Sequence, residues 1–143
     1  MEMRDRMNRV ELAIENHKKG CNCAQAVALA YVDVLQMDAE KVYHLTEALG
    51  GGVGGLRQIC GAVSAGSLVL GYQKSNDALY EKKYRLDTYD LIKEYVEKFQ
   101  EIDGTYQCGE LLELRKEKQS NFATCTDCVR KAAELIEEFL QKG

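Results

Sequence analysis

At 143 residues, 45% of them hydrophobic, the chain has the material for one domain, residues 1–143, whose core needs no covalent staples. Its net charge of −4 comes without a basic patch interleaved with aromatics, which argues against a nucleic-acid partner. Residues 1–6 are charged rather than signal-like, and no run reaches the ~18 apolar residues of a membrane span, so we expect a cytoplasmic protein with no membrane insertion.

In chain order, helical periodicity recurs while period-two alternation and proline are absent. Val10, Ala13 and Ile14 mark a first helix ending near Lys18-Lys19-Gly20, a basic last turn followed by glycine. Ala24, Val27, Ala28, Tyr31 and Leu35 form the stripe of a second. Asp38 caps a third, with Val42, Leu45 and Leu49 inward and Glu40 and Glu47 outward. A glycine-rich loop, residues 50–55, leads to a run from Ile59 to Tyr72 that is apolar or small on nearly all sides, the pattern of a buried central helix. A long helix is predicted from about Asp77 to Ile102, with Tyr84, Leu91, Ile92, Tyr95, Val96, Phe99 and Ile102 on its inner face. Thr88 marks a candidate break, and Asp103-Gly104 a stop. Leu111, Leu112 and Leu114 indicate a short helix. Val129, Ala132, Ala133, Ile136, Phe139 and Leu140 place a last one. The expected fold is all-α: a single compact bundle of about six or seven helices around one buried helix.

Cysteines recur at the predicted helix starts: Cys23, Cys60, Cys108 and the Cys125-Thr126-Asp127-Cys128 pair. The first turn carries free N–H groups and partial positive charge, which favour a thiolate there. In a reducing compartment such clustered cysteines bind metal or exchange electrons. Cys125 and Cys128 form a C-x-x-C without a following histidine, so haem attachment is not indicated, and a single C-x-x-C does not support a zinc ribbon. Cys21, in the tighter Cys21-Asn22-Cys23, is the expected bystander.

These residues resemble a known family of redox-active proteins named for its cysteine pattern, C_GCAxxG_C_C. The resemblance is carried by Asn22-Cys23-Ala24-Gln25-Ala26-Val27, Gly50-Gly51-Gly52-Val53-Gly54, Cys60-Gly61-Ala62-Val63-Ser64-Ala65-Gly66, Cys108-Gly109-Glu110-Leu111-Leu112 and Cys128. It runs from about Cys21 to the C-terminus and implies redox activity through four cysteines, which map to Cys23, Cys60, Cys108 and Cys128. The extra Cys125 competes with Cys128 for the last place. The last glycine of the Cys-Gly-Ala-x-x-Gly motif falls on Ala65, with Gly66 one step later.

Three functions follow as expectations. In the first, Cys23, Cys60, Cys108 and Cys128 converge as an electron-transfer centre serving a redox partner protein. They would either hold an iron–sulfur cluster, with Cys125 as a further candidate ligand, or cycle between dithiol and disulfide without metal. Four separated cysteines favour the cluster, which the glycines Gly52, Gly54 and Gly61 would let the backbone approach. In the second, the same thiols bind a structural zinc in a non-catalytic helical binding module. In the third, a helical adaptor, they only pack. Gly50-x-Gly52-x-x-Gly55 matches a dinucleotide fingerprint in form only, since a helix rather than a strand precedes it. An anion-binding nest of loop N–H groups is a further reading. His17 and His44 are expected to face solvent, Arg57 either to be a surface charge, the preferred reading, or to stabilise a thiolate or a bound anion, and most tyrosines to pack at core or boundary.

Overall fold

The structure, a computed structural model, describes residues 8–142, so the charged start at residues 1–6 lies outside the described residues. The Asn8 side chain accepts the Glu11 N–H at 2.8 Å and thereby caps α1 (Arg9–Lys18). The next stripe is divided. Helix α2 (Cys23–Ala30) ends at Tyr31, whose φ of −117° and ψ of 25° leave the helical region, and a single turn, α3 (Val32–Leu35), follows. The cause is tertiary: the buried Tyr31 donates its hydroxyl to the Glu137 carboxylate at 2.8 Å, and Arg9 bridges the same carboxylate to Asp33. This division raises the number of helices among the described residues to eight, above the six or seven that periodicity suggests.

Asp38 caps α4 (Ala39–Glu47) as expected, but only Val42 and Thr46 are buried on it. Leu45 is 63% exposed, because α4 meets α2 along one narrow i, i+4 stripe. Helix α5 (Gly61–Lys74) is the central helix predicted, packed against α2, α3, α6 and α8. It shares the centre with α2, six of whose eight residues are buried. The small residues set the spacing. A Cβ on Gly66 would fall 2.0 Å from the buried Tyr95 hydroxyl, so the position of closest approach is Gly66 rather than the neighbouring Ala65. Ile59 and Tyr72, at the ends of this run, and Leu68 within it are on the surface.

Helix α6 (Lys82–Asp103) begins later than periodicity predicts and runs unbroken through Thr88. Tyr95 and Phe99 are buried on its inner face, whereas Tyr84, Leu86 and Tyr89 in its first half are exposed. Gly104, at φ 81°, supplies the left-handed stop. Helix α7 (Cys108–Lys116) buries Leu111, and α8 (Cys125–Lys142) buries the stripe Val129, Ala132, Ala133, Ile136 and Phe139. Phe99 stacks on Phe122 with ring centroids 5.5 Å apart, joining α6 to the segment before α8. Tyr31 and Tyr95 are core residues, but Tyr43, Tyr72, Tyr80, Tyr84 and Tyr89 lie exposed, contrary to the packing role expected of most tyrosines. Among the described residues there is no strand, only an Ile59–Gln107 antiparallel bridge, and no helix long and apolar enough to cross a membrane.

Candidate functional site: a five-cysteine centre at converging helix starts

Each cysteine reaches the centre through a local device. Asn22 closes a capping box with Gln25: its side chain accepts the Gln25 N–H, and Gln25 accepts the Asn22 N–H. This fixes Cys23 as the first residue of α2. Asn22 also donates to the Glu47 carbonyl at 3.0 Å, and Gly50 lies so close that a Cβ there would meet the Asn22 side chain at 2.4 Å. Replacing Asn22 by alanine should therefore cost about 1 kcal/mol in a urea titration, the usual value of such a cap. A cost near zero would mean that the cap does not hold Cys23.

Cys60 is the N-cap residue of α5, and Gly61 brings that end against α2, since a Cβ on it would sit 3.1 Å from the Ala24 nitrogen. Cys60 donates its N–H to Tyr106, while Cys108 and Gly109 donate theirs to Gln58 and Arg57. This clasp sets Cys108, the first residue of α7, beside the approach to α5. Ala123 and Thr124 donate their N–H groups to the Asp127 carboxylate, shaping the turn from which Cys125 opens α8. Cys128 follows one turn later. All five cysteines thus stand at helix starts, where the sequence places them.

The thiols influence one another in two pairs, Cys23 with Cys125 and Cys60 with Cys128, and in each the partner sulfur is the largest cause of the shift. In each pair one sulfur favours the thiolate and the other the thiol. The Cys23 hydrogen bond, assisted by the Arg115 guanidinium 3.2 Å from Cys125 Sγ, lowers Cys125 to about 5. The bond from Cys128, with the Ala62 and Val63 N–H groups of the first turn, lowers Cys60 despite its burial. Cys23 and Cys128 shift upward, each through the hydrogen bond to its partner and through desolvation. Cys108 joins at the edge: its charge acts on Cys23, and Arg57 Nη1 lies 3.6 Å from its sulfur. Cys21 belongs to neither pair, and burial alone raises its pKa. Among the described residues, no group of three or more His, Cys, Asp and Glu side chains has the arrangement to hold a metal ion as they stand.

Two residues, His17 and Arg115, depart from the sequence reading. His17 does not face solvent; it is half-buried, with Nδ1 2.8 Å from Thr126 Oγ1 and Nε2 3.7 Å from Cys23 Sγ. The signal was present in the short connection of residues 19–22, which folds the end of α1 onto the start of α2. Arg57 is exposed, as expected of a surface charge, and its guanidinium also addresses the Cys108 sulfur, in line with the other reading of this residue. Arg115 is a site residue that the sequence did not single out, because the surface of α7 carries charges of both signs. His44, by contrast, is exposed as expected.

The glycine loop is a packed structural turn. Gly51, Gly52, Gly54 and Gly55 all have positive φ. The N–H groups of residues 53–58 bond to carbonyls within residues 48–53, so this stretch of backbone is not free to form an anion nest. Gly52 is buried against the Arg57–Gln58 backbone, and Gly61 against α2. Gly54 is exposed, with open space around it.

No curated protein and no solved structure matches the chain. One family model does, over residues 21–139, and its description reads "Putative redox-active protein (C_GCAxxG_C_C)". The matched span includes all six cysteines and most of the chain, so the protein belongs to the C_GCAxxG_C_C family of redox-active proteins.

Proposed function

We propose that this protein carries electrons by dithiol–disulfide exchange at Cys23/Cys125 and Cys60/Cys128, serving a redox partner protein. The observation that supports this reading is the convergence of four free thiols at helix starts, with Gly61 holding the start of α5 against α2 and each pair joining a sulfur that favours the thiolate to one that keeps its proton. A disulfide forms when two thiols give up two electrons and two protons. Exchange requires a thiolate to attack and a good leaving thiolate to depart. Cys125 and Cys60 supply one low-pKa sulfur to each pair. The family's redox description agrees with this chemistry at the coarser level.

The test is to purify the protein anaerobically, oxidise it with a disulfide reagent, re-reduce it and locate the bonds by peptide mass spectrometry. Reversible Cys23–Cys125 and Cys60–Cys128 disulfides are the expected result. Bound iron and sulfide with a visible absorption band would replace this reading by an iron–sulfur cluster on the same thiols. Tightly bound zinc in a colourless protein would replace it by the structural site.

A further inference from the structure

The two cysteine pairs differ in access and lie side by side. Cys60 and Cys128 are 5% and 1% exposed, beyond the reach of another protein's sulfur, whereas Cys23 and Cys125 are half-buried. The pairs adjoin on both sides. Cys125 and Cys128, at i and i+3, share one face of α8. Cys23 and Cys60 stand at the starts of α2 and α5, which Gly61 brings into backbone contact, and the Cys60 charge acts on Cys23. A direct route therefore exists between an outer pair and an inner one.

Resting on the dithiol–disulfide reading above, we propose that the pairs form a two-stage relay, in which a partner protein's dithiol reduces only Cys23–Cys125 and the inner pair is reduced by internal exchange. The steps balance. The partner's two thiols become a disulfide as Cys23–Cys125 opens to two thiols. The Cys125 thiolate then attacks Cys128 Sγ of the inner disulfide, forming a Cys125–Cys128 bond and expelling Cys60 as thiolate. Cys23, losing its proton, attacks Cys125 Sγ and expels Cys128 as thiolate. The outer disulfide is re-formed, two electrons have moved inward, and the two protons of the outer thiols end on Cys60 and Cys128. A second partner dithiol reopens the outer pair, leaving all four sulfurs reduced. The first-turn N–H groups that favour the Cys60 thiolate suit it as the leaving group of the internal step. Cys108 and Cys21 take no part.

The experiment uses the full, oxidised chain, with reduced thioredoxin as a protein-sized dithiol, acid quenching, alkylation and peptide mass spectrometry. In the native protein Cys23–Cys125 should open first and Cys60–Cys128 second. In Cys125→Ala the inner disulfide should open about 100-fold more slowly or not at all, because access governs the rate once the internal route is gone. Unfolding that variant in urea should release the bond to the same reagent. Cys23→Ala, which also lacks the outer disulfide, serves if Cys125→Ala does not fold. Equal rates of inner reduction in native and variant protein would overturn the relay, as would an oxidised protein holding the outer disulfide alone; both leave single-pair exchange standing. Absence of any disulfide would overturn the parent reading and the relay with it.

Discussion

Gly52→Ala should destabilise the protein by about 3 kcal/mol or more and release Arg57 from Cys108. The two contributions are separable. At φ +73° an alanine is strained by roughly 1–2 kcal/mol relative to glycine. Its Cβ would also stand 2.4 Å from the Gln58 nitrogen and 2.7 Å from the Arg57 carbonyl carbon, backbone atoms that cannot rotate away. Overpacking of this kind costs about 1–3 kcal/mol. Relief requires the loop to open, and the same stretch holds the start of α7: Gln58 O accepts the Cys108 N–H at 2.6 Å and Arg57 O accepts that of Gly109 at 3.1 Å. The fold therefore loosens where Cys108 sits. Gly54→Ala is the control. It also lies at positive φ, +58°, but a Cβ there meets nothing within 4 Å, so only the conformational cost of about 1–2 kcal/mol remains. Urea unfolding gives both costs, and the alkylation rate of Cys108 reports the clasp. Equal destabilisation by the two substitutions would refute the backbone contact as the reason for a glycine at position 52. Against a typical total stability of about 5–15 kcal/mol, the larger loss is a substantial fraction.

This loop also shows how far the sequence could be read. Its glycines announced a backbone in unusual conformations, yet whether they served an anion, a cofactor or the chain itself depends on which carbonyls the loop N–H groups find. That is a matter of three-dimensional closure. The helix starts were more legible, because Asp38 and the position of each apolar stripe are local signals. For the same reason Cys23, Cys60, Cys108 and Cys125 could be assigned to first turns. The break at Tyr31 was not legible, since no glycine or proline marks it. It arises from a hydroxyl that reaches Glu137, 106 residues away. Leu45 misled for the opposite reason: its spacing is correct for a helix face, but α4 has a neighbour on only part of that face. Pairing among the cysteines was likewise hidden. Both members of the C-x-x-C motif invite pairing with each other, whereas each finds its partner across the bundle, on α2 or at the start of α5.

The most reactive thiol should be Cys125, and its reactivity should depend on Arg115. With its pKa lowered to about 5 by the Cys23 hydrogen bond and then by the guanidinium, Cys125 is a thiolate across the neutral range. Alkylation of the reduced protein by iodoacetamide, read peptide by peptide, should be half-maximal for Cys125 near pH 5 and flat above about pH 6, because only the thiolate is the nucleophile. The raised Cys23 and Cys128 should lag far behind in the folded state. Arg115→Met removes the hydrogen bond and the positive charge, so the Cys125 midpoint should move to higher pH and its rate at pH 6 should fall. Arg115→Lys, which keeps the charge, should recover part of both. A Cys125 midpoint near the ordinary value of 9.0 in the native protein would contradict the assignment. Stability carries the same sign. A lowered pKa means that folding releases a proton between about pH 5 and 9, so the Cys125 contribution is complete above 9.0 and is lost as the pH falls through about 5. Cys23 opposes it on the alkaline side: its raised pKa lets the unfolded chain ionise first, so its contribution is lost as the pH rises past 9.0. The reduced pair is thus most stabilising with one proton between its two sulfurs.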